Sequence, residues 1–151
     1  MITVIIRFFD ILMAGLIAGT LFGIWIGFDP KSLSAPTYVE QQQSVIKALN
    51  VLMPILGLIT ILLTITAAFL QSRHQAVFVT LLVAAGFLMI SGLVTRFGNQ
   101  PINSIVMTWD KMNVPANWTE LRDKWWLLHK IRALTAFISF CLIIWSGMRK
   151  D

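Results

Sequence analysis

Trp118, Arg122, Trp125, His129 and Arg132 follow one another at spacings of four, three, four and three residues. On a helix these spacings place all five side chains on one face, so a base, two cations and two indoles share one strip. Histidine begins with a pKa near working pH and suits proton abstraction, while a guanidinium suits an anion. The strip runs directly into an apolar, membrane-length segment, where an ionisable side chain must face the bundle interior or a wet cavity.

Other polar residues have plainer accounts beside the functional one. Glu40, Gln43, Lys47 and Asn50 form a stripe at spacings of three, four and three, with Pro54 continuing the same face. Glu40 serves as part of a helix cap and Lys47 as a snorkelling lysine, whereas Gln43 and Asn50 have no such role. After Arg96 comes Asn99-x-Pro101-x-Asn103. Its two carboxamides either satisfy a buried turn or present donors to a ligand oxygen, and spacing alone leaves both open. Trp126 and Lys130 fit an interfacial belt and anchor, and His74 a solvated turn. The structural alternative for the strip is that Glu40 neutralises Arg132 or Arg122 and His129 is a satisfied hydrogen-bonder.

Several chemistries are set aside. There is no HExxH, CxxC, phosphate-binding glycine loop or GxSxG. A metal site would need Glu40 and His129 joined by weak amide ligands, and bis-histidine haem would need the distant His74, so no metal or cofactor is expected. The net charge of +5 comes from scattered bases, several flanking apolar segments, and is not a nucleic-acid patch.

The elements that must position these residues are helices in a membrane. The chain has 151 residues, 57% hydrophobic and 13% charged, with a mean hydropathy of +0.77. Segments 11–28, 51–70, 76–94 and 131–148 are each long enough to cross ~30 Å of hydrocarbon. The expectation is an all-α integral membrane four-helix bundle, one domain over 1–151. Its first apolar run is too long for a secretory signal and lacks a small-x-small cleavage site, so it is read as a retained helix. Gly15, Gly19, Gly23 and Gly27 predict a close-packing seam on that helix, and Cys141 a small buried hydrophobe. Thr37-x-x-Glu40 reads as a capping box that starts helix 2, which then runs to Leu70 interrupted only by Pro54, with a kink as the consequence. At about 50 Å it exceeds the hydrocarbon thickness. Residues 71–75 make a tight turn, Gly98 ends helix 3, Pro101 opens a short helix or bend, and Asn117 starts helix 4 near Trp118. Helices 2 and 4 extend beyond the bilayer on the same side.

Tyr38-Val39-Glu40 with Gln43, Asn50 and Pro54, the Asn-x-Pro-x-Asn turn, and the Trp, Arg, Trp, His, Arg strip together resemble the anthrone oxygenase-like family of small four-helix membrane proteins. The likeness spans nearly the whole chain. It implies an oxygenase that oxidises an anthrone to an anthraquinone with molecular oxygen, without a bound metal or flavin. The residues permit a matching mechanism in which His129 removes the benzylic proton and Arg132, with Asn99 or Asn103, stabilises the enolate. Trp118 and Trp125 supply flat walls, and Arg122, Glu40, Gln43 and Asn50 complete the binding surface. The implied partners are membrane lipid and a flat aromatic or quinone-like molecule. The competing expectation is a non-catalytic membrane protein that binds a lipid, a quinone or a protein partner at its polar end.

Of the twelve Lys and Arg residues, Arg7, Arg73, Arg149 and Lys150 lie at the tight connection and the termini, and the other eight at the long connections and helix extensions. A raw count would place the polar end in the cytoplasm. Discounting bases held in internal pairs gives the orientation expected here, with termini inside a bacterial cytoplasmic membrane.

Overall fold

The computed structural model describes residues 1–148, so the C-terminal bases Arg149 and Lys150 lie outside the described residues. Four stretches are long and apolar enough to cross a membrane: Ile2–Ser32, Leu52–Leu70, Gln75–Val106 and Trp118–Met148. They form a helical bundle in which α6 (Trp118–Met148) packs on both α1 (Ile2–Gly27) and α4 (Gln75–Val94), with α3 (Leu52–Leu70) against α1 and α4. Large apolar side chains such as Leu16, Leu62, Phe69 and Phe137 face outward, as a lipid-facing surface requires.

α1 starts at Ile2, well ahead of the apolar run, because its two charges turn inward. Arg7, Asp10, Ala14, Ile17, Ala18 and Leu21 make the buried stripe. Arg7 Nη2 donates to the Ile143 carbonyl at 3.0 Å, and Thr64 Oγ1 donates to Asp10 Oδ1 at 2.7 Å. The glycine seam is a correction. A Cβ at Gly15 would meet Phe140 at 3.3 Å, but at Gly19, Gly23 or Gly27 it would meet nothing within 4 Å. Close packing falls instead to Ala14 and Ala18, which are 2% exposed. Cys141 is likewise exposed rather than buried.

The second expected helix divides into α2 (Ala35–Leu49) and α3. Pro54 accounts for the break: it has no N–H for the carbonyl four residues back, that of Asn50, and its ring crowds the same group. The freed Asn50 carbonyl accepts from Gln100 Nε2 at 3.1 Å. The capping box is also corrected. Ser34 occupies the N-cap, with its hydroxyl 2.8 Å from that of Thr37, and Glu40 reaches across to Lys111 instead. Pro36 falls in the first turn, where a missing donor costs nothing.

Gly98 does not end the third span. α4 widens into a π turn over Thr95–Asn99 and continues as α5 (Gln100–Val106), with Pro101 in its first turn. No glycine among the described residues has positive φ, so none supplies a left-handed helix cap. Gly98 serves close approach: a Cβ there would lie 3.0 Å from Leu128 Cδ1 on α6. α6 begins at Trp118, as Asn117 predicts, with the Asn117 carbonyl accepting from Glu120 N at 3.2 Å.

Thr64→Val removes the donor to a fully buried carboxyl group and should cost about 1–3 kcal/mol, lowering the melting temperature in detergent. Adding Asp10→Leu should restore most of that loss, because no buried carboxyl group is then left unpaired. Non-recovery in the double variant would contradict this assignment.

Candidate functional site

Arg132 is the centre of the site. It is 8% exposed, and no carboxylate pairs with it among the described residues. Its three-residue offset from His129 lets Nε and Nη2 donate to His129 Nδ1 at 3.2 and 3.0 Å. Since a guanidinium only donates, Nδ1 must be the bare nitrogen, and the ring proton sits on Nε2, 3.1 Å from the Leu21 carbonyl. His129 is therefore a neutral imidazole with both nitrogens engaged. Its ring lies nearly parallel to Trp125 (5.1 Å, 7°) and Trp126 (5.5 Å, 2°). Trp126, at 8% exposure, belongs to this stack and not to an interfacial belt.

The strip is thus assembled as one face. The Arg132 Cζ lies 5.7 Å from the Trp125 ring centroid, and the Arg122 Cζ lies 4.8 Å from that of Trp118. The broken α2–α3 junction and the Asn-x-Pro-x-Asn turn lock it. Trp125 Nε1 donates to Asn103 Oδ1 at 2.8 Å, and Asn103 Nδ2 to Asn50 Oδ1 at 2.8 Å. Asn99 Nδ2 donates to the Trp125 carbonyl at 3.0 Å. Each carboxamide of the turn thus commits one N–H within the protein.

Arg132 borders a cavity of about 350 Å³ lined by Ile17, Leu21, Met53, Ser91 and Thr95 among others, a size that suits a small-molecule site. It also borders a crevice of about 30 Å³ together with Asn50, Asn103 and Trp125. Leu21, Met53, Pro54 and Thr95 line both. His129, Asn99, Trp118 and Arg122 line neither, so the larger cavity has aliphatic walls and His129 stands behind Arg132. Glu40 and Gln43 face a separate surface cleft with Lys47 and Lys111. Gln43 Nε2 donates to the carbonyls of Val106 and Trp109, at 3.0 and 2.9 Å, closing the end of α5.

The expected buried pairing of Glu40 with Arg122 or Arg132 is not found. Glu40 pairs with Lys111, raising that ammonium above its ordinary range, first through the hydrogen bond and then through charge. Arg122 pairs with Asp123 at 2.9 Å, and Lys31 reaches Asp123 at 3.5 Å. Tyr38 packs 5.6 Å from Trp118, and burial lifts its phenol above the usual range, with Arg122 partly opposing.

Sequence reasoning missed Ser91 and Thr95, whose four-residue spacing inside an apolar segment was the available signal. Ser91 Oγ donates to the Arg132 carbonyl at 3.0 Å and Thr95 Oγ1 to the Ser91 carbonyl at 2.8 Å. It also missed Gln42, fully buried with both amide atoms unpartnered, and the inward pair Arg7 and Asp10. Among the described residues no three His, Cys, Asp or Glu side chains gather as a metal site.

A family model described as anthrone oxygenase matches residues 43–142. That stretch contains the junction, the turn and the strip, and excludes all of α1. Neither the curated proteins nor the solved structures give a match.

Asn103→Leu would leave Trp125 Nε1 and Asn50 Oδ1 without partners, at about 1–3 kcal/mol for each orphaned group. Thermal unfolding in detergent should show a clear loss of stability; an unchanged melting temperature would dismiss the lock.

Proposed function

We propose that this chain, which belongs to the anthrone oxygenase family, is a membrane-embedded oxygenase that uses molecular oxygen to turn the ring CH2 of an anthrone-like aromatic into a carbonyl. The observation that carries the reading is Arg132: a buried guanidinium with no carboxylate partner among the described residues, braced on a neutral histidine, facing an apolar cavity of about 350 Å³. A cation in that setting favours whatever places negative charge beside it.

In the proposed reaction the guanidinium turns from His129 Nδ1 to the substrate oxygen. That motion bares the Nδ1 lone pair, which takes one proton from the CH2 group. The resulting enolate is held by Arg132. The enolate passes one electron to O2, the substrate radical and superoxide combine to form a C–O bond, and the peroxide anion recovers the proton from His129. Loss of the second C–H proton with cleavage of the O–O bond yields the ketone and hydroxide, which together with that proton is water. One oxygen atom enters the product and the other leaves as water. The electrons pass from substrate to oxygen directly, so the scheme requires no metal or flavin. Asn99 and Asn103, expected to assist the enolate, instead position Trp125.

The alternative, a non-catalytic protein holding an anionic headgroup or quinone at the polar end, draws less support. Lys31, Lys111 and Arg122 there already pair with Asp123 and Glu40. Termini on the cytoplasmic side of a bacterial membrane remain part of the proposal, because short segments flanking the spans orient best and the tight turn and the chain ends carry Arg7, Arg73, Arg149 and Lys150. A reporter fused to Met1 should read cytoplasmic; an external signal would reverse this orientation.

Arg132→Gln should lower kcat by about 10²–10³-fold, read as oxygen uptake and quinone absorbance with purified protein and an anthrone. His129→Ala should also lower kcat, because it removes both the proton acceptor and the brace. Full activity in either variant would withdraw the scheme.

A further inference from the structure

We infer that the substrate reaches Arg132 sideways from the lipid, through a mouth between α3 and α4 at Gly57 and Gly92, and that the ligand is a membrane-dissolved flat molecule with a single polar edge. This inference rests on reading the cavity as the oxygenase site.

The aqueous approach is closed. Between Arg132 and the polar end stands Trp125, 1% exposed and tied through Asn103 to Asn50. The space left on that side is about 30 Å³, room for a few water molecules and not for a ring. Opening it would break a buried hydrogen-bonded chain and displace a stacked indole.

The lateral approach is open. The larger cavity lies among residues of the apolar spans, and its border residues Leu58, Met89 and Leu93 are 60%, 46% and 56% exposed. A Cβ at Gly57 or Gly92 would meet nothing within 4 Å, so neither glycine is there for close packing. Both line the cavity, and their missing side chains leave its mouth clear.

The polar groups inside define the ligand. The Ser91 and Thr95 hydroxyls are committed to backbone carbonyls, and Arg96 Nη1 to Gln100 Oε1. Arg132 Nη1 has no hydrogen-bond partner among the described residues. Arg96 also lines the cavity but is exposed, so Arg132 is its one buried cation, and a single buried cationic donor in a mainly aliphatic chamber matches a ketone or phenolate edge on an apolar body. Sugar conjugates and polyacids fit less well, because many of their polar groups would go unpaired against the aliphatic walls.

The test uses wild-type protein in phosphatidylcholine vesicles loaded with a photoactivatable azidoanthraquinone, with adducts mapped by mass spectrometry. Adducts are expected on Met53 and Met89. Gly57→Leu with Gly92→Leu should cut them by about tenfold, and Met89→Trp, scored at Met53, should act in the same direction. Gly19→Leu, at an equally open glycine on α1, should leave labelling unchanged. Labelling of the wild type that the mouth variants leave undiminished would overturn the lateral route alone. Absence of cavity labelling in wild type would overturn the aromatic reading of the site and this route with it.

Discussion

A guanidinium held inside a membrane-length segment, with no acid paired to it among the described residues, is the constraint around which this protein is organised. Burying such an ion costs several kcal/mol even after relaxation, and among the described residues no carboxylate pairs with it to offset that cost. The cost is met by a bare histidine nitrogen, by the π face of Trp125 and by a cavity wall. Each of these must itself be fixed. His129 is held by the Leu21 carbonyl and by two parallel indoles, and Trp125 by Asn103 and Asn99. Residues from α1, the α2–α3 junction, the turn before α5, and α6 therefore meet at one side chain.

Both proline features contribute to this bracing. Pro54 breaks the second helix and thereby exposes the Asn50 carbonyl to Gln100, while the Asn50 side chain takes a hydrogen bond from Asn103. Pro101 follows a π turn that brings Asn99 and Asn103 onto α6. Interruptions that weaken helices in isolation here supply the polar contacts that hold the aromatic stack.

The four spans and the start of α6 at Trp118 were legible because hydropathy and the cap after Pro115 are local signals. So was the shared face of Trp118, Arg122, Trp125, His129 and Arg132, which follows from helical spacing. Partners were not legible. Glu40 could have met either arginine, and only the placement of the 107–117 connection gives it Lys111. The glycine spacing on α1 was equally silent about direction: it marks a face, but the neighbouring Ala14 and Ala18 are the ones that turn inward. Nor could spacing show that His129 stands behind Arg132 and the cavity in front, since that depends on Ile17, Met53 and Ser91 from three other helices.

The most direct test of the central claim is ¹⁵N NMR of His129 in bilayers, with and without an anthraquinone in the cavity. The expected spectrum is that of a neutral ring protonated at Nε2, with Nδ1 as a hydrogen-bond acceptor whose signal shifts when the ligand draws Arg132 away. An imidazolium, an Nδ1-protonated ring, or an Nδ1 signal that ignores the bound ligand would contradict it.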